Sequence, residues 1–502
     1  MNDVNYFDLL KFAVPETMVV IAALAVLAVD LLVMRHEPIR YRFLFGAAIS
    51  CLGCFAAMFW LLNIDQQAHA LNGMLVLDPL TRFIKAALLL LTVFTVLISI
   101  EANFTKHIGE YFALILLATV GMMFLVSSEE ILMIFISLEL TSLSLYILAA
   151  FNKQNINSAE AALKYFLFGG MAAAFTLFGL SLIYGLSGAT NLHQISAALK
   201  GHGLDPSLLA GLVMTIIGFG FKIAAVPFHL WAPDAYQGAP TPSAAFIASG
   251  SKVASFFVFA KVMMLGFAGV EGSAFWRNLA PGWVPVLAIL AAFSMALGNL
   301  AAIAQSNVKR LLAYSAIAHA GYALLGIITH SSQGISSLVY YMVTYALTAL
   351  GAFGVVAVVE RRAGDAKLSD FAGFGQREPW LAFCMMIFML SLAGIPPLAG
   401  FFGKFYLFAV AVGTDRTNLG LLWLVIFAIA MSAVSLYYYL QVLKQIYVVP
   451  VPVSAPISEE AFPGPAITRA AIGLLALGVV VLGCAPDLLL GRLLAAIHGA
   501  GL

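Results

Sequence analysis

Five ionisable side chains stand inside stretches that are otherwise as apolar as lipid. They are Glu139 in EEILMIFISLELTSLSLYIL, Lys164 in AEAALKYFLFGG, Lys222 in FKIAAVPFHLW, Lys252 in AFIASGSKVASFFVF and Lys404 in LAGIPPLAGFFGKF. A charge near the centre of a membrane helix costs about 2.5–3.5 kcal/mol on insertion scales, so each needs a reason. Glu139 sits roughly nine residues into its run, which at ~1.5 Å per residue places it ~13 Å deep, close to the midplane of a ~30 Å core. Lys252 lies about as far into its own run, Lys222 precedes Pro227, and Lys404 follows Pro396 and Pro397. Lys164 is nearer the end of its helix.

The chemistry follows from the cost of burial. Desolvation disfavours a charged lysine and a neighbouring carboxylate restores it, so a lysine held between these pulls exchanges a proton near neutral pH. A row of such groups bridged by water is a proton relay. Moving the Glu139 charge towards or away from a lysine would tune that lysine's proton affinity. His229 and His319 are candidate intermediate carriers, since imidazole titrates near pH 6.5; each also reads as a hydrogen-bonding structural residue. The competing reading of the deep charges is a fixed ion pair. One pair accounts for two residues, not for four on four helices. Arg82, Lys85 and Lys261 lie near helix ends and are expected to reach the headgroups along their alkyl stems.

The elements that position these residues are apolar helices. Of 502 residues 62% are hydrophobic and only 10% charged, against about 45–50% and about 25% in soluble domains. The chain is therefore a polytopic membrane protein of all-α class. Its net charge of +1 argues against a nucleic-acid partner. MNDVNYFDLLKF lacks the basic start of a signal peptide, so the first span reads as retained. Cys51 and Cys54 form a C-x-x-C, but inside an apolar run without a second Cys or His pair, so they read as small packing residues. No metal, flavin or nucleotide motif is evident.

Apolar runs long enough to span occur about fourteen times: 15–34, 43–62, 80–100, 110–127, 130–151, 160–186, 207–230, 242–266, 282–304, 309–329, 334–360, 380–410, 419–446 and 467–484. Placing both termini outside puts Arg35, Arg40, Arg42, Lys106, Lys153, Lys309, Arg310, Arg361, Arg362, Lys367, Arg377, Lys444 and Arg469 on the cytoplasmic side. Only Lys11, Lys200, Arg277, Arg416 and Arg492 fall opposite, a clear positive-inside bias. The long polar connections, near 187–206, 361–379 and 447–466, are too short for an extramembrane catalytic domain.

The seventh and twelfth runs contain proline: Pro227 in one, Pro396 and Pro397 in the other. Each lies late in a block of five runs, 110–266 and 282–446, preceded by three helices in 1–109 and followed by one at 467–484. An odd number of spans inverts the second block relative to the first. Inverted repeats with discontinuous helices at matching places point to a transport pathway.

FKIAAVPFHLWAPDAYQGAPTPSAAFIASGSK, SLELTSLSLYIL, NVKRLLAYSAIAHAGY and LAGIPPLAGFFGKF resemble the antiporter-like subunits of the proton-translocating NADH–quinone oxidoreductase, respiratory complex I. The resemblance runs from about residue 75 to 450. The HLWAPD-Y-GAPTP phrasing with Lys252 beyond it is similar to the subunit N branch, counterpart of the mitochondrial subunit 2. Subunit M typically carries a glutamate where this chain has Lys404. The resemblance implies fourteen helices, two inverted five-helix repeats and broken helices seven and twelve. It assigns Glu139 to the helix-five glutamate, Lys164 to the helix-six lysine, Lys222 to broken helix seven, Lys252 to the central helix-eight lysine and Lys404 to broken helix twelve. It also implies no cofactor in this chain, with FMN, iron–sulfur clusters and quinone held by partner subunits, and a place among other membrane-arm subunits of a bacterial inner membrane. The alternatives are a subunit of a multisubunit cation/proton antiporter or membrane-bound hydrogenase complex, which shares the lysine row, and a purely structural membrane module.

Overall fold

In the computed structural model, which describes residues 11–64, 67–201, 203–414, 419–450 and 466–500, two Asp-Pro pairs start helices. Asp78 accepts the Thr81 N–H at 2.6 Å and Asp205 that of Leu208 at 2.8 Å, each with proline in the first turn. The carboxylate satisfies a donor that the helix leaves unpaired, and proline gives up no hydrogen bond at that position. Asn155, Asn307 and Ser331 cap helices in the same way. Arg416 and the connection at 451–465 lie outside the described residues.

The spans match the apolar runs. Three lead: Val14–Leu32, Ile39–Asn63 and Pro79–Ser99. Five follow: Ile108–Ser127, Ile131–Ala149, Ile156–Ser187, a broken seventh (Pro206–Ile223 and Trp231–Gly238) and an eighth over Thr241–Gly266. Five more are Trp283–Ile303, Val308–Ile328, Ser332–Ala363, a broken twelfth (Pro379–Ala393 and Ala399–Gly413) and Leu422–Tyr447. Ala466–Cys484 is the fourteenth. Thirteen of the described helices are long and apolar enough to cross a membrane, and the two halves of the twelfth span complete the set.

Both breaks fall where the sequence places them. The first half of the seventh span ends at Ala224, left-handed at φ 58°, and the first half of the twelfth at Gly394, φ 86°. Two cis prolyl bonds follow, Val226–Pro227 and Pro396–Pro397. The seventh span extends beyond the expected 230, because helix resumes at Trp231 and runs to Gly238. The eighth is interrupted too: Thr241–Ala248 and Gly250–Lys261 meet at Ser249, and a π-helical turn closes the span at Val262–Gly266.

Two short antiparallel hairpins, Ala68–Ala70 with Leu75–Leu77 and Ser273–Phe275 with Asn278–Ala280, were not foreseen. Strands of three residues are too short to leave an alternating pattern. A short helix Leu192–Leu199 and a final helix from Asp487 were likewise unforeseen.

Enclosure differs sharply between spans. The eighth, tenth and eleventh are each 94% buried over their most apolar stretch, whereas the sixth and thirteenth are 33% buried. The first three form the heart of the molecule, and the sixth and thirteenth present apolar faces outward. The chain is a multi-pass integral membrane protein of all-α architecture, with two five-helix repeats whose broken helices are the seventh and twelfth.

Candidate functional site

Lys222 and Lys404 both end up at the C-terminal end of a half-helix, by different routes. Lys222 lies in the last turn before the seventh span breaks. Lys404 starts beyond the other break and folds back, its Nζ donating to the carbonyls of Leu392 at 2.9 Å and Ala393 at 3.1 Å and to Ser432 Oγ at 2.9 Å. The carbonyls that a helix end leaves free carry partial negative charge and favour a cation. Gly394 lies beneath the fold-back at φ 86°, where a Cβ would stand 3.1 Å from Lys404 Cδ.

Glu139 and Lys222 come together between the fifth and seventh spans. Lys222 Nζ donates to Ser142 Oγ and lies 3.9 Å from Glu139 Oε1, with the Tyr146 ring 5.9 Å away. At that separation and an effective dielectric of ~20 the two charges attract by about 4 kcal/mol. The ammonium is thus hydrogen-bonded to a serine beside the carboxylate, not locked onto it.

Lys164 stands apart from this pair. Its Nζ contacts Asp234 at 2.8 Å and Glu160 at 2.7 Å, and Arg310 reaches Asp234 at 2.6 Å. The Lys164 side chain is 40% exposed in the isolated chain, unlike the other lysines of the row.

Lys252 and His319 sit at the centre. Lys252 is 2% exposed, donates to the Ala316 carbonyl at 2.7 Å and lies 6.0 Å from the Tyr345 ring. His319, one turn along the tenth span from Ala316, bonds Tyr341 through Nδ1 at 2.6 Å and Tyr439 through Nε2 at 3.1 Å. Tyr439 also pairs with Ser315, and its ring packs against Tyr438 at 4.4 Å. From Tyr438 the bonds continue to Asn299 at 2.9 Å and on to Tyr322 at 3.0 Å, whose ring lies 5.2 Å from Lys404 Nζ. A buried polar chain therefore joins the neighbourhood of Lys252 to that of Lys404. Because its groups are hydroxyls, an imidazole and an amide, its members both donate and accept hydrogen bonds.

His229 lies within the first break, 6% exposed, with Nδ1 unpartnered by the protein. Among the described residues no hydrogen bond joins it to the central chain.

The tyrosines and Asn299 escaped the sequence reading, although YYMVTYAL carries Tyr341 and Tyr345 at helical i, i+4 spacing. Two expectations are corrected. Lys85 does not reach the headgroups: it is fully buried and pairs with Glu16 at 2.7 Å across the first and third spans. Lys261 is buried as well, 3.0 Å from Glu129, which His193 approaches at 3.5 Å. In both cases a carboxylate on another element supplies the counter-charge that solvent would have supplied. Arg82 donates to the Ile64 carbonyl. Cys51 and Cys54 are free thiols in the second span.

The chain matches the family described as "NADH:quinone oxidoreductase/Mrp antiporter, TM" over residues 128–432. It is 52% identical to NADH-quinone oxidoreductase subunit N 2 of Acidobacterium capsulatum over 501 residues, covering 98% of this chain and 99% of that one. It is 36% identical to NADH-quinone oxidoreductase subunit N of Nitrosomonas europaea over 491 residues, 97% of each. A chain in the structure of respiratory complex I from Thermus thermophilus with bound aureothin superposes with a TM-score of 0.77 at 32% identity, covering 96% of this chain and all of that one. A chain of the Mrp complex from Dietzia sp. DQ12-45-1b shares the fold at a TM-score of 0.81, with 19% identity over 97% of each. The chain belongs to the NADH:quinone oxidoreductase/Mrp antiporter family of membrane subunits, and within it to the group of NADH-quinone oxidoreductase subunit N.

Proposed function

We propose that this chain is a proton-translocating membrane-arm subunit of NADH–quinone oxidoreductase, driven by electron transfer in other subunits. The observation that carries the reading is the buried polar chain linking the surroundings of Lys252, through His319, Tyr439, Tyr438, Asn299 and Tyr322, to those of Lys404.

In this reading Glu139, Lys164, Lys222, Lys252 and Lys404 carry the protons, with His319 between the last two. Glu139 acts on Lys222 as a movable counter-charge. At 3.9 Å it holds the proton on the ammonium, and a few ångströms of withdrawal release it. Among the described residues no carboxylate pairs with Lys404, and the carbonyls of Leu392 and Ala393 and the Ser432 hydroxyl hold its ammonium. His229 is a secondary candidate at the first break, with a free ring nitrogen. Pro227, Pro396 and Pro397 mark backbone interruptions of the kind tolerated at membrane depth only where protein or a cavity surrounds them.

The blocks 110–266 and 282–446 serve as the two inverted repeats, with 1–109 and 467–484 as flanking helices. Both termini face the outer side of a bacterial inner membrane, as the loop charges favour. FMN, iron–sulfur clusters and quinone reside in partner subunits, and neighbouring antiporter-like subunits adjoin this one in the membrane arm. The exposed cluster of Lys164, Glu160, Asp234 and Arg310 offers charged partners to such a neighbour.

The test is Lys222→Ala and Lys404→Ala in the assembled complex, measuring protons moved per NADH oxidised. Both variants are expected to lower that ratio while the complex still forms. An unchanged ratio in both overturns the reading.

A further inference from the structure

On the cytoplasmic side, as the loop charges assign it, a polar cavity of about 400 Å³ opens between the N-terminal helices and the two repeats, with Glu101, Asn103, Asn152, Thr241, Lys309 and Glu360 among its walls. Its floor is a three-way cluster. Lys309 Nζ donates to Glu360 at 2.9 Å, to Thr241 Oγ1 at 3.2 Å and to the Ala239 carbonyl at 3.1 Å, and Thr241 also donates to Glu360. The Lys309 side chain is 4% exposed and that of Glu360 31%, so the carboxylate meets the cavity and the ammonium lies behind it. None of the five residues assigned to the relay is part of this cluster.

The same three helices meet again deeper in the protein. Thr241 opens the eighth span, Lys309 the tenth, and Glu360 lies near the end of the eleventh. Lys252 is on the eighth span and contacts Ala316 of the tenth and Tyr345 of the eleventh. Thr241 and Lys252, on either side of the interruption at Ser249, thus both face the tenth and eleventh spans. Spans eight, ten and eleven therefore form one groove, with the Glu360 cluster at the cytoplasmic end and Lys252 at the inner end. Midway along it, Tyr236 from the second half of the seventh span packs edge-on against Phe353 of the eleventh, 5.9 Å between ring centres. Tyr236 is fully buried and its hydroxyl has no partner in the protein.

We infer that Glu360, with Lys309 and Thr241, forms a cytoplasmic inlet that delivers protons to Lys252 along this groove, with the Tyr236 hydroxyl as the halfway point, independently of Lys222. Glu360 takes a proton from water in the cavity, and Lys309 holds the carboxylate in place as its counter-charge. The proton passes through bridging water and Tyr236, which releases one proton as it accepts another, to the neutral amine of Lys252. Glu360 is left as carboxylate and Lys252 as ammonium. The inference rests on the reading of this chain as a proton-moving subunit.

The test uses the intact oxidoreductase in inverted membrane vesicles, whose cytoplasmic face is outward. Glu360→Gln and Thr241→Val are expected to lower protons moved per NADH while NADH–ferricyanide electron transfer stays at the wild-type level, and Thr241→Ser is expected to restore the ratio. Thr241→Cys is expected to react with a charged methanethiosulfonate added from the cytoplasmic face. A full ratio in both Glu360→Gln and Thr241→Val, or a Thr241→Cys complex that assembles and resists the reagent, overturns the inlet. Lys404→Ala in the same membranes separates the two claims. If it lowers the ratio while the inlet variants do not, only the inlet falls; if it and Lys222→Ala too leave the ratio intact, the reading of the chain as a pump falls with it.

Discussion

Glu139 has a serine between itself and full contact with Lys222, and that arrangement sets what its removal does. Glu139→Gln keeps shape and most hydrogen bonding but deletes a charge worth about 4 kcal/mol to the ammonium at this distance. Coupled proton movement should fall more than ten-fold while assembly, read by native gel, is preserved; retained pumping would show the pair to be a structural clamp. Glu129 makes a different prediction. Burial pushes its carboxyl up, but the Lys261 ammonium with His193 and His69 outweighs this, and the net shift is downward. A depressed carboxylate contributes stability above its unfolded value, about 4.3, and loses it as pH falls through the lower folded value. Glu129→Gln should therefore cost about 3–5 kcal/mol at neutral pH by stranding Lys261. The gap between wild-type and variant melting temperatures should close in acid, and a gap independent of pH would contradict this. The deep charges were legible in sequence because an ionisable residue stands out in an apolar run. Tyr341, Tyr438 and Tyr439 were not, because a tyrosine's ring satisfies apolar patterning and hides its hydroxyl. Lys85 and Lys261 were misread because Glu16 and Glu129 lie far away in sequence.

At the scale of elements, the broken helices do the positioning. Prolines betrayed both breaks in the sequence, but their extent depends on Ala224 and Gly394, whose left-handed backbone is set by the packing around them. Gly394 is the more demanding, since Lys404 folds over it. Gly394→Ala should cost about 1–2 kcal/mol for the left-handed conformation alone. It should also displace Lys404 from the Leu392 and Ala393 carbonyls. A lower proton-to-electron ratio with only a modest drop in melting temperature is the expected result, and an unchanged ratio would show that the fold-back is dispensable. The interruption of the eighth span falls at Ser249 and Gly250, the kind of Ser/Gly pair at which a helix kinks without proline, whereas the π turn at Val262–Gly266 left no comparable mark in the sequence.

Across the whole molecule, the most enclosed helices are the ones that carry the central groups, and they come from both repeats: the eighth from the first, the tenth and eleventh from the second. The flanking helices join them through buried pairs. Lys85→Ala should destabilise by about 3–5 kcal/mol, because it leaves Glu16 charged and unpaired between the first and third spans, while the proton ratio of surviving complex stays normal. Span number followed from composition and the two breaks from proline positions; the assembly of His319, Tyr322, Tyr438, Tyr439 and Asn299 from three different spans is a property of the packing. The account as a whole stands on Lys252, buried where both repeats meet and, among the described residues, without a carboxylate partner. The most direct test is to measure protons moved per NADH oxidised in vesicles carrying Lys252→Ala, with electron transfer monitored alongside. The account predicts a lowered ratio in a complex that still assembles and accepts electrons; a wild-type ratio at full electron flux would contradict it.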